Sequence, residues 1–339
     1  MSRVMRFCMI IFIVILFFGT WLLGSFIVIQ IDSEQFIHDK QFKVLQKQNQ
    51  ELQRNVDKQC RLINKKELVR DDLSGDKYDN KKDAHKAWER ARKEKVIRDN
   101  LIYFPHLNQM WCLVPKAAST SWSKAIVDRL NFESTNIFID SSANYSLQVI
   151  LKQNFGNINR TAFVNAAQSD KIKKVLLIRH PFSRIASAYR DKLADRKAKV
   201  DGMHFFQQFG VKINRRFRQS RKDVKQKEPT FQEFVDYLIE TKPLDMNEHW
   251  QPISLMCGLC HVHYDHIIAM ENLEKTKVFH LNQLGFPGNN FPVENKNSGT
   301  YSSQELFRNI SNSRKVRLLD KYQEDFRLFQ YSFLKHYYI

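Results

Sequence analysis

The chain has 339 residues and carries 54 Lys and Arg against 36 Asp and Glu, a formal charge of +18. That length suits one full-sized domain with extensions, and no internal repeat is present, which excludes an array of small modules. A positive charge spread through the whole chain serves solubility or calls for a polyanionic partner.

The first element is an uncharged apolar run from Phe7 to Ile29. At about 1.5 Å per residue its roughly 23 residues span a bilayer. Arg3 and Arg6 precede the run, while Asp32 and Glu34 follow it, so the positive-inside bias puts the N-terminus in the cytosol. Residues 1–6 are therefore expected as a cytosolic tail, 7–31 as a transmembrane signal-anchor in the lipid bilayer, and the rest as lumenal. A cleaved signal peptide is the competing reading, but the run exceeds a typical h-region and no small-x-small site closes it. Lumenal placement removes nucleic acid from reach and leaves an anionic glycan and a phosphorylated donor nucleotide as the available polyanions.

Residues 32–100 are rich in Lys, Gln, Asp and Glu and read as a lumenal stem. Within them Phe42, Leu45, Leu52, Val56 and Ile63 approximate a heptad seam, interrupted by Asn49 and Gln59. The seam fits either a solvated helical spacer or a short parallel coiled coil that makes a homodimer.

From Leu101 to the end, apolar runs alternate with amphipathic segments. Strands are expected at Met110–Val114, Val175–Ile178, His266–Met270 and Val278–His280. Helices are expected at Trp122–Leu130, Phe182–Leu193, Phe231–Glu240, Ser302–Asn309 and Arg314–Phe333. This alternation predicts an α/β domain over residues 101–339, a parallel sheet flanked by helices, with its ligand at the carboxyl ends of the strands.

Two segments fall at such strand–helix junctions. Pro115-Lys116-Ala117-Ala118-Ser119-Thr120-Ser121 lies between a strand and a helix, and supplies a lysine, hydroxyls and free helix N–H groups, a geometry that holds an anion. Arg179-His180-Pro181-Phe182-Ser183-Arg184-Ile185-Ala186-Ser187 offers arginines and serines suited to a second phosphate. The pair predicts a nucleotide with phosphates at both ends. The first loop lacks the Gly-Lys-Ser/Thr ending of a phosphohydrolase, and no paired acidic residues near either loop mark a Mg²⁺ site, so neither a kinase nor a resident metal is expected.

These segments resemble the phosphosulfate and 3′-phosphate loops of Golgi carbohydrate sulfotransferases, in the branch of the chondroitin and dermatan 4-O-sulfotransferases and the HNK-1 sulfotransferase. The resemblance continues, in order, through Ser187-Ala188-Tyr189-Arg190-Asp191-Lys192, Phe231-Gln232-Glu233-Phe234-Val235-Asp236-Tyr237-Leu238, Asn247-Glu248-His249-Trp250, Cys257-Gly258-Leu259-Cys260, Tyr264-Asp265-His266-Ile267 and Tyr322-Gln323-Glu324-Asp325-Phe326-Arg327-Leu328-Phe329. Two departures are Ala117-Ala118-Ser119-Thr120, often Val-Ala-Cys-Thr in that branch, and His180, often glutamate there.

The resemblance implies a P-loop-like sulfotransferase fold, a Golgi membrane protein of type II topology, and 3′-phosphoadenosine 5′-phosphosulfate (PAPS) as sulfate donor. It implies sulfation of a glycan hydroxyl, either position 4 of N-acetylgalactosamine in chondroitin or dermatan, or position 3 of a terminal glucuronate. A lumenal glycan-binding protein without catalysis is the other class of reading. Sulfuryl carries less charge than phosphoryl, so Lys116 can stabilise the departing phosphate without a metal. Ser119, Thr120 and Ser121 would hold the 5′-phosphosulfate, and Arg179 and Ser187 the 3′-phosphate. His249 is the expected general base, with Glu248 second and Glu133 and Asp140 as further options. The basic stretch Lys212–Lys227 is expected either to face the glycan or to be a solvated connection.

Cys60, Cys112, Cys257 and Cys260 lie on the lumenal side, where disulfides form. Cys257-Gly-Leu-Cys260-His261 matches a haem-attachment pattern and, with His263, a partial zinc set. A structural disulfide, or two separately paired cysteines, is the better reading. Sequons at Asn144, Asn159 and Asn309 are expected as glycosylation acceptors.

Overall fold

The computed structural model describes residues 40–64, 80–132, 147–156, 158–197, 201–218, 227–286, 291–292 and 302–332. Two units are distinguished, Met1–Gln50 and Glu51–Ile339. In the first, residues 40–50 are helical. The second opens with a helix over residues 51–64 (α1) and continues through α2, Asn80–Asn100. The expected anchor at 7–31 lies outside the described residues. Among those described, no helix is long and apolar enough to cross a membrane.

Among the described residues four strands build one sheet in the order β1 (Leu101–Phe104), β2 (Gln109–Cys112), β3 (Lys173–Ile178) and β4 (His266–Ala269). The pairs β2–β3 and β3–β4 are parallel, whereas β1 runs antiparallel to β2. The sheet is thus mixed, not purely parallel as expected. Only a short connection, Pro105–Leu107 and the left-handed Asn108, separates β1 from β2, and parallel pairing would need a long crossover. The central strand β3 is buried from Lys174 to Ile178 without alternation, as a strand covered on both faces must be.

Helices α3 (Ser119–Phe132), α4 (Leu147–Phe155) and α5 (Arg160–Gln168) occupy the crossover from β2 to β3. Between β3 and β4 come α6 (Pro181–Lys192), α7 (Gly202–Phe205), a π turn at Phe206–Gly210, α8 (Val211–Phe217), α9 (Phe231–Glu240) and α10 (Ile253–Met256). Helix α9 shows why the periodicity was legible. Phe231, Phe234, Val235, Leu238 and Ile239 form its buried stripe, and Thr230 with Glu233 closes a capping box at its start.

The expected strand Val278–His280 is instead part of α11, Leu273–Gln283. Phe279, His280 and Leu281 are buried there, so packing of the helix overrides the β propensity of the short Val-Phe pair. The expected single helix Arg314–Phe333 is two, α13 (Asn312–Lys321) and α14 (Gln323–Leu328), following α12 (Ser303–Arg308). Tyr322 leaves the helix at the break, and its buried hydroxyl donates to the Trp250 carbonyl.

Among the described residues the buried side chains form two clusters. One surrounds the sheet and includes Trp111, Trp122, Leu176 and Phe286. The other joins α6, α9, α12, α13 and α14 through Phe182, Phe234, Trp250, Phe307 and Tyr322. Leu52, Val56 and Ile63 of the heptad-like seam pack against the sheet cluster of their own chain. Disulfides fix this arrangement: Cys60 pairs with Cys260 and Cys112 with Cys257. The cysteines of the Cys-Gly-Leu-Cys motif are therefore paired separately, which removes both thiolates from any haem or zinc. Gly258 between them has φ +59° and a Cβ there would lie 2.5 Å from Ile97 of α2, so only glycine fits.

Candidate active site

Because β2, β3 and β4 are parallel, their carboxyl ends open on one edge of the sheet. The first of the two expected anion loops, residues 115–121, leaves β2 there. Lys116 and Ala118 both adopt left-handed backbone, φ 69° and 61°, before α3 begins at Ser119. This conformation is uncommon for non-glycine residues and is held by specific partners. The Ala117 N–H donates to the Val114 carbonyl, Arg179 Nη1 donates to the Lys116 carbonyl at 2.7 Å, and Arg184 Nε donates to the Pro115 carbonyl at 3.0 Å. Ser119, Thr120 and Ser121 form the first turn of α3, at its positive end. Trp122 anchors that turn against Trp111, Phe286 and Phe291.

The second segment divides by helical periodicity. Arg179 closes β3 and reaches the first loop. His180 caps α6 through Nδ1, which accepts from the Phe182 N–H, while its own backbone N–H donates to Glu271 at 2.6 Å. Pro181, Phe182, Ile185 and Ala186 point into the apolar interior, where Phe182 stacks on Phe307 at 4.6 Å. Ser183 and Ser187, one turn apart, share a face of α6. Of the nine residues taken together in the sequence, only some can therefore meet a ligand.

Arg184 is an interior brace. It is 1 % exposed, and its Nη1 and Nη2 donate to the carbonyls of Gln251 and Glu248, each at 2.6 Å. Loss of hydration lowers its guanidinium to about 10, so it stays charged at neutral pH. One side chain thus ties the first anion loop to the Asn247–Gln251 segment. From the other side Tyr322 holds the Trp250 carbonyl, and the buried Asp325 accepts from the N–H groups of Ile253 and Ser254 at 2.8 and 2.7 Å.

That bracing fixes His249. Asn247 Oδ1 accepts the His249 backbone N–H at 3.0 Å and faces ring Nδ1 at 2.7 Å. A backbone N–H can only donate, so the amide atom facing it is oxygen, and Nδ1 must carry the ring proton. The lone pair is then on Nε2. Burial, followed by the nearby Lys192 and Lys116 charges, pushes His249 well below its ordinary range, which keeps the ring neutral.

The charged residues around it were only partly legible beforehand. Lys116 Nζ contacts Asp191 Oδ2 at 2.5 Å, and Asp191 lies 3.3 Å from Lys192 Nζ. Lys192 also pairs with Asp201 and sits 4.8 Å over the Phe205 ring, which meets His249 edge-on at 5.2 Å. The sequence marked Asp191 and Lys192 as part of a motif without giving them a role, and did not single out Asp201 or Phe205. The available signal was spacing, since Asp191 follows Ser187 by four residues on the same helix face. Glu133 and Asp140 lie outside the described residues, as does Asn144. Of the basic stretch Lys212–Lys227, Arg218 pairs with Glu233 at 2.9 Å and Arg216 with Glu240 at 3.1 Å, while Lys212 and Arg215 are exposed.

With this geometry in hand, comparison with known proteins places the chain. The Sulfotransferase family profile matches residues 99–332, and the chain belongs to that family of sulfotransferase enzymes. It is 30% identical over 256 residues to carbohydrate sulfotransferase 11 of Rattus norvegicus, covering 71% of each chain. It is 26% identical over 262 residues to carbohydrate sulfotransferase 14 of Danio rerio, covering 73% of this chain and 66% of that one. Against carbohydrate sulfotransferase 8 of Mus musculus the identity is 26% over 234 residues, 66% of this chain and 54% of the other. No solved structure matches.

Proposed function

We propose that the protein is a PAPS-dependent carbohydrate O-sulfotransferase whose acceptor is an anionic glycan, with position 4 of N-acetylgalactosamine in chondroitin or dermatan the leading site. The observation that carries this reading is that Arg179 reaches the Lys116 carbonyl where β2 and β3 end, while the Lys116 charge also bears on His249. The donor set suits the nucleotide: a lysine and a helix N-terminus on one loop, an arginine and a serine face on the next. In the reading, residues 115–121 hold the 5′-phosphosulfate and Arg179 with Ser187 the 3′-phosphate.

His249 Nε2 takes the proton of the attacking sugar hydroxyl. The hydroxyl oxygen bonds to sulfur as the bond from sulfur to the bridging oxygen breaks, and the electron pair stays on the departing 5′-phosphate. Lys116 stabilises that charge, and adenosine 3′,5′-bisphosphate leaves. Glu248 lends its backbone carbonyl to Arg184, and its side chain is the second choice for the base.

The relatives named above carry the word carbohydrate in their names, which supports a sugar acceptor. A glucuronate 3-O acceptor of the HNK-1 type is the alternative. The same reading makes the protein a Golgi membrane glycoprotein of type II topology, anchored through residues 7–31. Asn159 and Asn309 are exposed sequons, and Asn159 caps α5 through Oδ1, which leaves Nδ2 for a sugar. Leu52, Val56 and Ile63 are spent on the chain's own core, so a homodimer through the stem would have less of the seam to use.

The test is incorporation of labelled sulfate from PAPS by the full-length protein into chondroitin, dermatan and glucuronate-terminated glycans, followed by disaccharide analysis. A 4-sulfated N-acetylgalactosamine product is expected. Binding of the nucleotide with no transfer to any glycan would instead favour the non-catalytic glycan-binding reading.

A further inference from the structure

The sulfotransfer reading gives Lys116 and His249 separate tasks, one on the donor and one on the acceptor. The structure joins them through two consecutive residues at the C-terminal end of α6. Asp191 faces the first loop and contacts Lys116 Nζ at 2.5 Å. Lys192 lies beside Asp191 at 3.3 Å, pairs with Asp201 in the turn before α7, and rests on the Phe205 ring. Phe205 in turn packs edge-on against His249 at 5.2 Å. Both members of the pair have side chains only 11% exposed, so the charges act through a poorly hydrated space where Coulomb interactions are several-fold stronger than in water.

We propose that Asp191 and Lys192 are a positioning pair that couples the donor lysine to the acceptor-side histidine. Asp191 orients Lys116, which stands on left-handed backbone, through the contact at 2.5 Å. Burial is the main reason the His249 ring stays neutral, and Lys192, held in place by Asp201 and Phe205, reinforces it. The other charges facing His249 are Lys116 from the first loop and Arg184 from α6, so the ring is faced by more positive than negative charge. Neither Asp191 nor Lys192 takes or gives a proton in the reaction. The assignment rests on His249 as the base.

The signs of the interactions supply the test. Removing a positive neighbour lets His249 protonate more readily, whereas removing a negative one makes protonation harder. The acidic limb of the kcat/KM profile should therefore move up in pH by about half a unit or more in Lys192→Gln and down in Asp191→Asn, with Lys192→Arg keeping the parent limb. Opposite displacements from adjacent, nearly isosteric changes cannot come from general loosening of the fold, and urea unfolding of each variant checks that they remain folded. Full-length protein, labelled PAPS and chondroitin are the reagents. Limbs that coincide in all the variants, while His249→Gln abolishes the limb, would overturn the pair alone. A limb that persists unchanged in His249→Gln would overturn the base assignment and the pair with it.

Discussion

Replacing Arg184 tests how the site is held together. Its guanidinium donates to the carbonyls of Pro115, Gln251 and Glu248 at 3.0, 2.6 and 2.6 Å, and it is 1 % exposed. Hydrogen bonds to a charged group contribute about 1.5–3 kcal/mol each, against which stands the cost of burying the charge. That cost is visible in the depression of the guanidinium to about 10. Arg184→Ala leaves the carbonyls without these donors and opens a cavity, so a net loss of about 3–5 kcal/mol is expected. For a domain of this size that corresponds to roughly 6–20 °C in Tm. Arg184→Lys keeps the charge, but a single ammonium lacks the planar fork that reaches three acceptors, and it should recover only part of the loss. The assay is urea unfolding together with sulfate transfer at a temperature where each variant is folded. Turnover should fall in both, because the first anion loop and the His249 segment lose their shared support. An Arg184→Ala variant within about 1 kcal/mol of the parent and fully active would refute the reasoning.

Further outcomes are expected at other positions. Lys116→Ala should lower turnover by about 10²–10³ with the fold intact, and retention of more than about a tenth of parent turnover would remove the leaving-group role. Arg179→Ala should weaken binding of adenosine 3′,5′-bisphosphate by about 2–5 kcal/mol in calorimetry, more than it weakens an analogue lacking the 3′-phosphate. Because Arg179 also holds the Lys116 carbonyl, a smaller loss for the analogue is expected too, and equal losses would confine Arg179 to shaping the loop. His266 and His280, joined at 2.8 Å and buried, are lowered to about 3 and about 4, chiefly by loss of hydration. Below about pH 6.5 the unfolded chain binds protons that the folded one refuses, so stability should fall as pH drops from there toward 4, by up to ~1.4 kcal/mol per unit for each ring. Urea unfolding between pH 7 and 4.5 reads that slope, His280→Gln should flatten it, and a flat parent profile would contradict the assignment.

Periodicity and turn chemistry are local properties, and they were legible in the chain. The apolar run of β3 and the stripe of α9 were visible because burial of one face or two writes itself into the order of residues. The two strand–helix junctions were visible for a related reason, since an apolar run followed by a short polar loop and a helix start is a local pattern. His249, which the proposal makes the base, stands in the sequence as the histidine of Asn247-Glu248-His249-Trp250.

Other features are set by contacts between residues far apart in the chain. Arg184 reads as one more phosphate-binding arginine, yet the packing of α6 turns it inward, where distant carbonyls fill its donors. The tautomer of His249 depends on Asn247, and its charge state on burial and then on Lys192 and Lys116, which approach only when α6 and the first loop meet. Cys257 and Cys260 are neighbours in sequence but pair with Cys112 and Cys60, because the left-handed Gly258 points them at different elements. Pattern along a chain reports which face of an element is buried. What that face meets, and therefore whether a charge is a ligand contact or a brace, is decided only when the elements pack.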